Sequence, residues 1–149
     1  MPDLCVLITG TRYATPADWR DAVHGVLALH LAQIGDGTLH LVHGGARGID
    51  TIAAQWEQER RGRWNISYEV FHADWDAHGR AAGPIRNALM RDRLLDLQRM
   101  GFDVAVCAFT DDITQSRGTA SMCRLASAAG LPVTVYGRDG TGRAFGGGQ

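Results

Sequence analysis

The chain reads as a single α/β domain, a doubly wound parallel sheet of about five strands in the order 3-2-1-4-5. Three observations predict this. Five short runs rich in β-branched and apolar residues recur at residues 4–9, 38–43, 66–72, 103–109 and 132–136. Each is close to continuously hydrophobic, as a strand covered on both faces must be. The segments between them carry apolar residues at spacings of three and four, so strands alternate with amphipathic helices, and right-handed crossovers then set the strands parallel.

Each element has its own justification. After the first strand, Val23, Val26, Leu27, Leu31 and Ile34 form one helical stripe, and after the second Ile49, Ile52, Ala53 and Trp56 form another. The third helix opens at Pro84, where a missing N–H is harmless in a first turn, and continues its stripe through Ile85, Leu89, Leu94 and Leu97. Met122, Leu125, Ala126 and Ala129 line the fourth, which Gly130 followed by Leu131-Pro132 stops. Residues 1–137 thus make one domain. Residues 138–149 are glycine-rich and bury too little to offset the entropy of ordering, so they read as a flexible tail.

Composition narrows the function classes. With 149 residues and 45% apolar content the chain can bury a core, yet no run reaches the length of a membrane span. The start lacks a basic region and a cleavage site, which argues against a signal peptide. Cys5, Cys107 and Cys123 show no metal-ligand spacing and read as buried thiols of a reducing cytoplasm; no metal and no cofactor is implied. A net charge of −1 disfavours a protein that holds nucleic acid by bulk positive charge. All 15 basic residues are arginine, which excludes a P-loop lysine, a Schiff base and a lysine general base. Neither a Walker A pattern nor G-x-G-x-x-G occurs.

In open parallel sheets ligands bind beyond the carboxyl ends of the strands, where strand order reverses. The unusual polar and glycine-rich segments all follow strand ends. Thr9-Gly10-Thr11-Arg12 follows the first strand, and His43-Gly44-Gly45-Ala46-Arg47-Gly48-Ile49-Asp50 runs from the second into a helix. Asp74-Trp75 and then Gly83-Pro84-Ile85-Arg86-Asn87 follow the third, and Ser116-Arg117-Gly118-Thr119 opens the last helix. Gly44 and Gly45 let backbone N–H groups approach an anion, and Gly118-Thr119 offers a second such turn. Arg12, Arg47, Arg86 and Arg117 suit bidentate phosphate contacts. Trp75 is a candidate for base stacking, and Asp50 and Asp74 are the candidate catalytic carboxylates.

The series T-G-T-R, H-G-G-A-R-G-I-D-T-I-A, A-D-W, A-A-G-P-I-R-N-A-L-M and S-R-G-T-A-S-M resembles the SLOG superfamily, which includes DprA (Smf), the LOG-type phosphoribohydrolases and the YspA-like proteins. The resemblance is closest to the YspA-like branch and runs from about Leu4 to Tyr136. It implies a Rossmann-like fold, a pocket for nucleotides or nucleotide-derived ligands, and a homo-oligomer, a dimer or larger. Matched by motif, Gly10 and Arg12 correspond to its first loop, Gly44, Gly45, Gly48 and Asp50 to its second, Arg86 and Asn87 to its arginine-containing motif, and Gly118 and Thr119 to its phosphate-binding turn. One departure stands out. LOG hydrolases carry PGGxGTxxE, whose glutamate takes part in ribosyl-bond cleavage; here Met122 occupies the glutamate position and Gln115-Ser116-Arg117 replaces Pro-Gly-Gly. Methionine cannot stabilise a developing oxocarbenium ion or activate water. The reading is therefore a nucleotide-binding sensor, carrier or sequestering module. An N-glycosidic hydrolase that uses Asp50 or Asp74, and a DprA-like binder of single-stranded DNA, are the alternatives.

Overall fold

The computed structural model describes residues 2–146. In chain order the elements are β1 (Leu4–Gly10), α1 (Pro16–Gln33), β2 (Leu39–His43), α2 (Ile49–Arg60), β3 (Ile66–Val70), the short α3 (Trp75–His78), α4 (Ala82–Arg99), β4 (Asp103–Phe109), α5 (Arg117–Ala128), β5 (Val133–Tyr136) and β6 (Gly142–Ala144). The sheet runs β3-β2-β1-β4-β5-β6. The first five strands are parallel and follow the expected order, whereas β6 adds an antiparallel edge.

The sheet is covered on both faces, which is why its central strands are apolar throughout. Val6, Ile8, Leu39 and Leu41 meet α1 and α2 in one core, with Trp19, Val23, Leu27, Ile52 and Trp56. Cys5, Leu7, Val42, Val106 and Ala108 meet α4 and α5 in the other, with Met90, Leu94, Leu97, Met122 and Ala126. Burial pushes the Cys5 and Cys107 thiols up to about 12 and that of Cys123 to about 11, so none is a reactive thiolate at neutral pH. Thr15 caps α1, its side chain accepting from the Asp18 N–H, and Pro16 fills the first turn.

Three features depart from expectation. The stripe on α4 does not begin with Ile85 and Leu89, which are 40% and 53% exposed; Ala82, Gly83, Asn87 and Met90 face inward before Leu94 and Leu97 take over. That half of α4 lies over the polar carboxyl edge of the sheet, so small and polar residues face inward there. The strand at 66–72 ends at Val70, and at the sheet edge, where the expected order put it, it is not covered on both faces: Tyr68 is 44% exposed. Finally, β6 falls within the segment expected to lack order. Gly137 and Gly140 turn the chain back: the Gly137 N–H donates to the Thr141 carbonyl (3.1 Å) and the Gly140 N–H to the Gly137 carbonyl (3.0 Å). Phe145 then packs on the second core. Residues 147–149 of that tail lie outside the described residues.

Candidate functional site

The chain leaves β1 toward β2 and β3 on one side, and leaves β4 toward β5 and β6 on the other. Between the ends of β1 and β4 this reversal opens a cleft of about 380 Å³. The end of β1, the loop through Thr11 and Arg12, the turn at Gly44 and Ala46, and the starts of α4 and α5 line it. Gly10 is a steric necessity here: a Cβ would lie 2.4 Å from Ile49 Cγ1 and 2.6 Å from the Phe109 carbonyl oxygen. Gly48 is another, with φ at +82° and the Thr11 carbonyl oxygen 2.4 Å from where its Cβ would sit. Both let the first loop lie against the start of α2.

The two glycine-rich turns differ in what they offer. In the H-G-G turn the donors are already bonded within the protein. Asp50 Oδ2 accepts from the N–H groups of Gly44 and Ala46, each at 3.1 Å, and the Gly45 N–H donates to His43 Nδ1 at 3.1 Å. Asp50 is buried at the start of α2, so the dipole of that helix meets its own carboxylate. Burial pushes the Asp50 carboxyl up to about 6, against the opposing pull of the two N–H groups, Arg86 and Arg12. Burial likewise lowers His43 to about 4. With its Nδ1 accepting, His43 is left with an Nε2 that has no partner among the described residues.

Arg86 and Asn87, expected as ligand contacts, are bonded within the protein and brace the walls. Arg86 Nη1 donates to the Gly44 carbonyl (2.9 Å) and Nε to Asn87 Oδ1 (2.9 Å), while Asn87 Nδ2 donates to the Gly118 carbonyl (3.4 Å). The turn at 44–46, α4 and the start of α5 are thereby held in one frame. Burial lowers the Arg86 pKa, yet a guanidinium stays charged, so it contributes positive potential as well.

The start of α5 is open. Its first intrahelical bond runs from the Ala120 N–H to the Ser116 carbonyl (2.8 Å), which leaves the N–H groups of Arg117, Gly118 and Thr119 without helical partners. Ser116 does not cap them, because its hydroxyl pairs with Thr110 Oγ1 at 3.0 Å. No acidic residue lies in this first turn, and a Cβ at Gly118 would meet nothing within 4 Å. Arg117 belongs to this turn and Arg12 lines the same cleft, both exposed and, among the described residues, in no ion pair.

Not every residue read from the sequence gathers here. Gly10, Thr11, Arg12, Gly44, Asp50, Arg86, Asn87, Arg117, Gly118 and Thr119 line the cleft, whereas Gly45, Arg47 and Trp75 line an adjoining hollow. Asp74 is exposed and lines neither; its carboxylate caps α3 by accepting the Ala77 N–H at 3.0 Å. Met122 is fully buried in the second core and does not line the cleft. Sequence reasoning missed Tyr13, Met90 and Gln115 in the lining. Tyr13 directly follows the T-G-T-R motif and Met90 lies one helical turn beyond Arg86, so adjacency was the available signal. Among the described residues no three His, Cys, Asp or Glu side chains cluster to hold a metal ion, and no helix is long and apolar enough to cross a membrane.

Fold and cleft together define a Rossmann-like α/β domain with a polar cleft at the switch point of its sheet. The family model described as YspA, cpYpsA-related SLOG family matches residues 4–78. The chain is also 39% identical over 137 residues to the Gene 61 protein of Mycobacterium phage D29, covering 89% of this chain and 95% of that protein. It belongs to the YspA, cpYpsA-related SLOG family. Membership supports a role in binding or modifying a nucleotide-related ligand.

Proposed function

We propose that the protein is a binding module, a sensor, carrier or sequestering protein, for a phosphate-bearing nucleotide or a molecule derived from one. The observation that carries this reading is the uncapped start of α5 on the cleft, three N–H donors with no acid in the same turn. The phosphate rests on Arg117, Gly118 and Thr119, and Arg12 and the Arg117 guanidinium supply charge. The cleft falls within the ~300–1,000 Å³ of ordinary small-ligand sites. The buried Met122 in place of the hydrolase glutamate supports binding without turnover. Calorimetry tests it by comparing nucleotides with their nucleosides on folded protein. The expected result is that at least one nucleotide binds about tenfold or more tighter than its nucleoside, less so as salt rises. No heat with any nucleotide would overturn the reading.

One observation favours a second reading, hydrolysis of an N-glycosidic bond. Asp50 lines the cleft with a carboxyl raised to about 6, in the range where one group can both give and take a proton near neutrality. This reading expects release of a free base from a nucleotide and its abolition in Asp50→Asn; turnover that survives the change would contradict it. Asp74, engaged as a cap outside the cleft, gives it no support. The three buried free thiols suit a reducing cytoplasm. The exposed Ile85 and Leu89, one turn apart on α4, support a dimer or larger oligomer, which light scattering on the eluting protein measures.

A further inference from the structure

The cleft does not end at Arg12. A second hollow of about 340 Å³ adjoins it, sharing Arg12, Gly44, Ala46 and Arg86 and reaching Arg47, His72 and Trp75. No carboxylate lines this second hollow. Arg12 stands at the common boundary, its guanidinium carbon 5.7 Å from the centre of the Trp75 ring. Two planar groups in contact are about 3.5 Å apart, so a third ring between Arg12 and Trp75 needs roughly 7 Å. A flexible arginine has to withdraw by only roughly 1–2 Å to admit it. Trp75 is 49% exposed, with the edge of its ring 3.5 Å from where a Cβ on Gly83 would sit, so helix α4 backs one side and the rest is open. Arg12 and Arg47 are both exposed and, among the described residues, in no ion pair.

A mononucleotide seated at the start of α5 leaves this basic, aromatic hollow unused. We infer that the site takes a two-headed ligand of the dinucleotide type, two ring-bearing halves joined through phosphates. This rests on the phosphate anchor at α5 proposed above. One half occupies the first lobe with its phosphate at α5, Arg12 and Arg47 meet the negative charge between the halves, and the second ring lies against Trp75, under Arg12. A single-stranded oligonucleotide has similar chemistry, but a net charge of −1 disfavours it.

The test titrates the full chain with the four common ribonucleoside monophosphates, with the matching symmetrical dinucleotides joined 5′ to 5′ through a diphosphate, and with short single-stranded oligonucleotides. Trp75→Ala and Arg47→Gln alter exposed side chains that line the second hollow and not the first, and a thermal melt confirms that the variants fold. For at least one base, the dinucleotide is expected to bind about tenfold or more tighter than its monophosphate. Each variant removes that advantage and leaves the monophosphate within about twofold of its original affinity. Equal affinity of the two ligand types, or an advantage that survives both variants, would overturn the two-headed ligand while leaving the anchor at α5 in place. An oligonucleotide that outbinds every dinucleotide and is lost in the same variants would overturn it in favour of nucleic acid. Failure of every mononucleotide and dinucleotide would remove both readings together.

Discussion

Asp50 holds the H-G-G turn together at an energetic cost. Its carboxyl is raised to about 6 in the folded protein and titrates near 4 when unfolded. Between those values the folded protein keeps a proton that the unfolded chain has released. The contribution to stability is therefore full below pH about 4 and is lost as pH rises through about 6. His43 runs the other way: its folded value is depressed to about 4, so its contribution is present above about 6.5 and lost as pH falls through about 4. The two oppose each other in one window, and the wild-type profile hides both. Asp50→Asn keeps an oxygen for the Gly44 and Ala46 N–H groups and removes the charge. Urea unfolding of the variant and wild type at several pH values is expected to show the variant gaining ground from pH 4 to 7, by on the order of 2 kcal/mol; a difference independent of pH would contradict the buried carboxylate. Met122→Glu tests the other end of the motif. A carboxylate at a fully buried core position is expected to destabilise the fold by about 3 kcal/mol or more and to confer no hydrolysis, as a melt and a base-release assay would report. From the sequence both residues were visible, Asp50 as a candidate catalytic carboxylate and Met122 as a lost glutamate. That Asp50 takes up two N–H groups of the preceding turn was not visible, because the bond depends on a backbone path that no spacing encodes.

At the scale of elements, α2 and α5 looked alike, each a helix entered from a glycine-rich turn. The structure separates them: α2 neutralises its own start with Asp50, while α5 has no acid in its first turn. The difference was legible in Arg117-Gly118-Thr119-Ala120 against Ile49-Asp50, had first-turn acids been weighed as competitors for the anion. Gly118→Ala exploits it. The new methyl meets nothing within 4 Å, and alanine is favoured over glycine in a helix by up to ~1 kcal/mol. The melting temperature is expected to hold or rise while nucleotide affinity falls, because the methyl crowds the three N–H groups. An unchanged affinity would place the anion elsewhere. The α4 face was misread because periodicity alone cannot distinguish a helix that covers a core from one whose first half covers a polar edge.

For the whole molecule, alternation of apolar runs and amphipathic segments was enough to give the parallel order β3-β2-β1-β4-β5, since handedness leaves few ways to wind such a chain. The sixth strand escaped because three residues with no strand propensity of their own, Gly142–Ala144, are placed by the turn before them and by Phe145 after them. Ending the chain at residue 137 is expected to keep the fold but uncover the edge of β5, lowering stability by about 1–2 kcal/mol and promoting association. An unchanged denaturant midpoint would show that β6 contributes nothing.

The central claim is that the free N–H groups at the start of α5, and not those of the H-G-G turn, receive the ligand's phosphate. Amide-resolved NMR of the ¹⁵N-labelled chain during titration with nucleoside monophosphates reads it directly. The amides of Arg117, Gly118 and Thr119 are expected to shift with ligand, and their nucleoside counterparts to leave them in place, while Gly44 and Ala46 stay bonded to Asp50 and move little. Large phosphate-dependent shifts at Gly44 and Ala46 with α5 unmoved would contradict the account.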